Sequence, residues 1–173
     1  MTPQTQNEHV VQLELSLDEF LGVVKGVSES DAKTSPPSGG WSVLECVEHV
    51  VVVEGRFLGW LETAANEGAP PRNEGKEAQI VARMTNRESK RPAPDAALPT
   101  GRFASLAEAI DQFQKTRNRS IEFAATRGPE LYSLVVQHHF FGALNGGEVA
   151  VLMANHGRRH TEQIKELKAA IRS

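Results

Sequence analysis

Asn145-Gly-Gly-Glu148-Val149-Ala-Val-Leu152-Met-Ala-Asn-His156-Gly-Arg-Arg159-His160-Thr-Glu-Gln163-Ile164-Lys-Glu-Leu167-Lys-Ala-Ala-Ile171 is the stretch that decides the fold. Val149, Leu152, His156, His160, Ile164, Leu167 and Ile171 recur every three or four residues, the period of one helix face. Asn145 suits an N-cap and Glu148 the first turn, so the spacing predicts one helix running to the C-terminus. Two stripe positions are histidine. At i and i+4, His156 and His160 stand one above the other, about 6 Å apart at Cβ, close enough for two imidazoles to grip one ion.

Working back along the chain, the same period appears three more times. Val10, Leu13, Leu17, Leu21 and Val24 mark a first helix over roughly 5–27, which stops where Pro36, Pro37, Gly39 and Gly40 break the backbone. Ser42 with Glu45 forms a capping box, and Cys46, His49, Val53, Phe57 and Trp60 align only on a helix, predicted over 42–65. Ser105 with Glu108 opens a third, with Leu106, Ile110, Phe113, Ile121 and Ala124 inward, ended by Gly128-Pro129. Between the second and third helices lie residues 66–104, holding five of the nine prolines. Within them 77–88 is expected to form a short helix carrying Ile80, Val81 and Met84. The fold expected is all-α, a single domain over 1–173: a four-helix bundle whose long crossover lets helices two and three run parallel.

Composition closes off other classes. The 39% hydrophobic and 24% charged residues are ordinary for a globular chain of 173. The longest apolar run, Val149 to Ala154, is six residues, where a bilayer span takes about 20. The start of the chain lacks the basic and apolar regions of a secretory signal, so a cytoplasmic location is expected. The single Cys46 excludes an intramolecular disulfide and a thiolate-rich metal site. A net charge of −3 offers no global field for nucleic acid. The basic run Arg83, Arg87, Lys90, Arg91 is interrupted by Glu88 and reads as solvated crossover.

His49 lies on the apolar stripe of the second helix, so two inward faces direct three imidazoles into one interior. Three histidines with an open fourth position are the pattern of a catalytic rather than a structural zinc site.

Three blocks, Gly40-Trp41-Ser42-Val-Leu-Glu-Cys-Val-Glu-His49, His138-His139-Phe140-Phe141-Gly142-Ala-Leu-Asn145 and His156-Gly-Arg-Arg159-His160-Thr-Glu-Gln163-Ile164, resemble the DinB/YfiT-like metalloenzymes in order and separation. The resemblance implies a four-helix bundle with a crossover after helix two, a zinc- or nickel-type ion on His49, His156 and His160, and a homodimer. It also implies a reaction class, since members include thiol S-transferases using low-molecular-weight thiols and mycothiol-dependent maleylpyruvate isomerases. One departure stands out: where the family commonly has His-Pro-x-Phe-Gly, this chain has a second histidine, His139, in place of the proline.

Further candidates follow from position. Glu45 and Glu148, on the ligand-bearing helices, are candidates for a general base, although both occupy first-turn capping positions. His138 is a candidate substrate-contacting group or a brace for the last helix. Arg159 and Gln163 flank His160 as candidate cofactor-binding groups, Arg159 by steering an anion. Cys46, one turn before His49, either approaches the metal or simply fills core. Gly157 occupies the place of a zincin's glutamate, which excludes that protease class. The function expected is a metal-dependent, thiol-dependent S-transfer on a small molecule. A metal-dependent hydrolase and a non-catalytic metal-binding bundle are the alternatives. Leu58 and Leu61, beside Phe57 and Trp60, suggest surplus apolar surface for a dimer.

Overall fold

A computed structural model describes residues 3–68 and 72–172, with side chains from residue 8; Met1-Thr2, which entered the reading of export, and Pro70-Pro71 lie outside them. The chain forms α1 (Pro3–Val24), a single turn α2 (Glu29–Ala32), α3 (Val43–Thr63), α4 (Glu74–Thr85), α5 (Leu106–Arg127) and α6 (Gly146–Arg172). The four long helices are those the periodicity predicts.

Their ends follow local chemistry. Ser42 Oγ accepts from Glu45 N while a Glu45 carboxylate oxygen accepts from Ser42 N, a complete capping box. Asn145 and Glu148 exchange the same pair of bonds at 2.8 and 2.9 Å ahead of α6. Gly128, at φ +51°, ends α5. The first helix ends three residues sooner than predicted, because the chain turns through Gly26 at φ +79°. The crossover helix starts at Glu74 rather than Glu77, since Asn73 Oδ1 caps it by accepting from Lys76 N.

Cross-helix contacts give the topology. Arg117 pairs with Glu54 and Arg119 with Glu62, so α3 and α5 ascend together, and the crossover returns the chain across the length of the bundle. Arg158 reaches Gln12 and Glu19 while Lys168 reaches the Val23 carbonyl, so α1 and α6 are parallel too. Early α6 residues Val149 and Leu152 share a core cluster with Phe57 and Leu61, and late residues Ile164 and Leu167 share one with Val43 and Val47. α3 and α6 therefore run antiparallel. Ile121 packs against both clusters and joins them.

One element was not anticipated. Leu134–His138 (β2) and Gly142–Asn145 (β3) form a hairpin, with the short β1 (Ala65–Asn66) added on the other edge of β2. His138 pairs with Gly142 around the three-residue loop 139–141, and Gly142 takes φ +73°, the left-handed residue such a loop requires. The hairpin hands the chain into α6 through Gly146, where a Cβ would overlap the Leu131 carbonyl oxygen, and Gly147, where one would sit 2.5 Å from the Tyr132 ring. Leu58 and Leu61 are buried inside the chain's own core, which removes them as spare surface for a dimer. No described helix is long and apolar enough to cross a membrane.

Candidate metal centre

His49 comes from the middle of α3 and His156 and His160 from the middle of α6. Because those helices are antiparallel neighbours, the three rings meet in the interior. His156 Nε2 lies 3.3 Å from His49 Nε2 and 3.2 Å from His160 Nε2. All three donor atoms fall within 4.8 Å of one another, and this is the metal-competent cluster of His, Cys, Asp or Glu among the described residues.

The donor set fits a divalent ion. With Zn–N of about 2.05 Å, tetrahedral geometry places ligand nitrogens about 3.3 Å apart, and the chain already holds His156 at that spacing from each of the other two. The far side of each outer ring is fixed: His49 Nδ1 meets the Ala97 carbonyl at 2.9 Å, and His160 Nδ1 meets Gln163 Oε1 at 2.7 Å. Both partners are acceptors, so each Nδ1 carries the proton and each Nε2 presents its lone pair to the centre.

Electrostatics keep those lone pairs free. Burial lowers the His49 pKa against the opposing pull of the Ala97 carbonyl. Burial also lowers His156 well below the ordinary value, with His160 and His49 adding to it. Burial takes His160 down to about 3, helped by His49 and opposed by Gln163. Unprotonated imidazole is the ligating form, so the site is ready for a cation at neutral pH.

A cavity of about 960 Å³ opens onto the triad. Trp41, Phe57, Trp60 and Phe141 supply apolar wall, and the hairpin tip and the crossover close its far side. The crossover is fastened by residues next to the ligands. Glu48 is 1% exposed, and its carboxylate accepts from Thr100 N, Arg102 N and Arg102 Nη1 at 2.8, 3.3 and 2.7 Å. The Ala97 carbonyl on His49 belongs to the turn Asp95–Ala97 of the same segment, so a loop far away in sequence completes the site.

The other predicted residues divide. Gln163 lines the cavity and orients His160, acting through that ring. Arg159 also lines it, yet its guanidinium donates to the carbonyls of Met84, Asn86 and Ser89, so it ties the crossover to α6 rather than standing ready to steer an anion. Glu45 and Glu148 are not brought to the triad, and the base role expected of them is corrected. Neither lines the cavity, and each spends a carboxylate oxygen on a helix cap, Glu148 with Lys76 3.9 Å away. Cys46 is fully buried among core side chains, and burial, with Glu45 adding to it, pushes its thiol up to about 12.

His138 does reach the cavity wall, packed against Phe57 and Trp60. Its Nδ1 accepts from Phe140 N at 3.1 Å and Phe141 N at 3.2 Å, which places its proton on Nε2. The ring thus braces the hairpin turn. Burial, with His139 adding to it, lowers its pKa to about 4, so it is a neutral donor at physiological pH.

Beneath the triad lies a feature the sequence reading missed. Arg117, fully buried, makes two bonds to the Glu54 carboxylate at 2.5 and 2.8 Å and donates to Leu13 O, Met153 O and Ser16 Oγ. One guanidinium thereby pins all four bundle helices. It also accounts for Gly157, because a Cβ there would lie 3.2 Å from Arg117 Nη2. The signal was available: Arg117 falls on the core stripe between Phe113 and Ile121, and Glu54 interrupts an apolar run.

Comparison with known proteins agrees with this architecture. An uncharacterized protein of Bacillus subtilis (strain 168), YuaE, is 23% identical over 148 residues, which cover 86% of this chain and 90% of the relative. The solved structure of Bacillus subtilis YfiT, a probable metal-dependent hydrolase with an unusual four-helix bundle topology, superposes with a TM-score of 0.63 at 16% identity over 98% of this chain and 89% of that one. The profile of the DinB superfamily matches residues 12–164, and that span holds all three histidines, the crossover and the hairpin. The chain belongs to the DinB superfamily.

Proposed function

We propose that the chain is a metal-dependent enzyme that transfers a small thiol to a small electrophilic substrate. The observation that carries it is a cavity whose floor is three unprotonated imidazoles and whose wall, among the described residues, offers Glu166 as its carboxylate, itself held by Arg87 at 2.8 Å. His49, His156 and His160 would hold an ion such as zinc or nickel, which would supply the Lewis acidity that makes a thiol or water nucleophilic at neutral pH. Hydrolysis calls for a base to relay water's proton, yet Glu45 and Glu148 are spent as caps and Glu166 is held by Arg87. Thiol chemistry needs less help, because a soft thiol gives up its proton readily and stays nucleophilic.

This chain's residues do the rest. Ala97 and Gln163 hold two ligand rings in the required tautomer, the aromatic wall excludes water, and His138 Nε2–H can donate to a substrate oxygen. Cys46, buried and protonated, leaves the thiol to come from a small cosubstrate. The second reading is hydrolysis, favoured by the structural likeness to YfiT; a proton would then pass through the imidazoles on the wall outside the triad, His138 and the His139 ring stacked on it.

The test measures metal in purified protein and in His49→Ala, His156→Ala and His160→Ala. It then follows an electrophilic bimane-type probe with and without a panel of small thiols. Metal loss in all three variants and thiol-dependent conjugation lost in His160→Ala are expected. Turnover without thiol would move the reading to hydrolysis, and no turnover with any thiol would leave a metal-binding bundle. Undiminished metal in His49→Ala would overturn the site itself.

A further inference from the structure

The chain carries a net charge of −3, yet the cavity wall holds Arg56, Arg83, Arg87, Lys90, Arg91 and Arg159 against the single carboxylate of Glu166. The basic run of the crossover, which the sequence suggests is merely solvated, instead faces the mouth of the site. Two of these cations are employed elsewhere, Arg87 on Glu166 and Arg159 on backbone carbonyls. Arg83 and Arg91 are held differently. The Arg83 guanidinium carbon lies 4.0 Å from the centroid of the Phe140 ring and that of Arg91 lies 3.8 Å from it. Both guanidinium groups therefore pack on the same ring. Phe140 stands at the hairpin tip, 42% exposed, and holds the two together.

That clamp orders two cations without neutralising either, since no ion pair to Arg83, Lys90 or Arg91 occurs among the described residues. Like charges brought together repel, and only an anion between or above them relieves the cost. A ring that fixes the guanidinium planes leaves their N–H edges free for the forked bonds that carboxylate and phosphate oxygens accept.

We infer that the mouth of the cavity is an oxyanion subsite in which Arg83 and Arg91, set by Phe140, bind the carboxylate or phosphate of a small ligand whose apolar body lies along the aromatic wall. This deepens the reading above by naming the charge class of the substrate or thiol. It rests on that reading only for what happens at the ligand's other end.

The test exploits the tryptophans. The chain has two, Trp41 and Trp60, and both line the cavity, so intrinsic fluorescence reports its occupancy. Chelator-treated protein is titrated with 4-phenylbutyrate, 2-phenylethyl phosphate, 4-phenylbutanol and 4-phenylbutylamine. Removing the metal matters, because an anion could otherwise bind the ion itself. At least one of the two anions is expected to bind roughly tenfold tighter than the alcohol and the amine, and which one separates a carboxylate from a phosphate subsite. Arg83→Gln and Arg91→Gln should each weaken anion binding roughly fivefold and leave the alcohol unchanged. Phe140→Leu, which keeps both charges and frees them, should fall between. Raising salt from about 0.1 to 1 M, which shortens the screening length from about 10 to 3 Å, should erase most of the preference. Circular dichroism checks that each variant is folded. Equal binding of anion and alcohol, or an anion preference intact in both arginine variants, would overturn the subsite. Metal content, measured separately, stands or falls without reference to this result.

Discussion

Arg117→Met removes the pin beneath the triad while keeping most of its volume. The Glu54 carboxylate, 2% exposed, then stays in the core without its partner, and the Leu13 carbonyl, the Met153 carbonyl and Ser16 Oγ each lose a donor. Removing one partner of a buried pair costs about 3–5 kcal/mol, because the remaining charge keeps its desolvation penalty and loses the attraction that offset it. Against a total stability of roughly 5–15 kcal/mol, that is a large fraction of what holds the fold. Urea unfolding followed by far-UV circular dichroism measures it as a drop in midpoint at constant slope. The double variant Glu54→Leu/Arg117→Met removes the stranded charge and should recover most of the loss, since an apolar pair of similar volume replaces an ion pair at little cost. Recovered stability need not bring back the site. Glu54 stands five residues after His49 on α3 and Met153 three residues before His156 on α6, so the pin sets how α3 and α6 sit against each other. The double variant is therefore expected to fold and yet bind metal about tenfold more weakly. A single variant costing under about 1 kcal/mol, or a double variant as unstable as the single, would refute the account of Arg117 as a buried charge whose pairing holds the bundle.

Gln163→Leu keeps the ligands and removes the acceptor on His160 Nδ1, so competition titration should show metal affinity falling about 10- to 100-fold, and unchanged affinity would deny the residue its positioning role. In metal-free protein the triad titrates below the unfolded value near 6.5, so its contribution to stability is full above about pH 6.5 and is lost as pH falls from there toward about 3, where His160 protonates in the fold. Urea midpoints across that range should decline, and His160→Ala should flatten the decline. A homodimer, which rests on the family resemblance, should sediment at twice the chain's 18.9 kDa at micromolar concentration, and a monomer there would remove it.

Much of this protein is legible one helix at a time. Four apolar stripes, two reciprocal caps and the breakers between them locate four helices, because an amphipathic period and a cap are properties of residues within a few positions of one another. The length of the crossover even predicts that helices two and three run parallel, since a short link could not carry the chain back. The three histidines are visible for the same reason: each sits where its stripe calls for an apolar side chain. What the sequence by itself could not decide is which distant groups meet. Ala97 offers a carbonyl that looks like any other until the crossover folds back onto His49. Glu45 and Glu148 lie on the right helices, but the geometry of a helix N-terminus turns their carboxylates back onto the backbone. Arg83, Arg91 and Phe140, far apart in the chain and ordinary alone, become a clamp only when the hairpin and the crossover close over one cavity. Local periodicity fixes which face of a helix is buried. Register, helix direction and the paths of the loops fix what that face meets, and those depend on packing the whole chain at once.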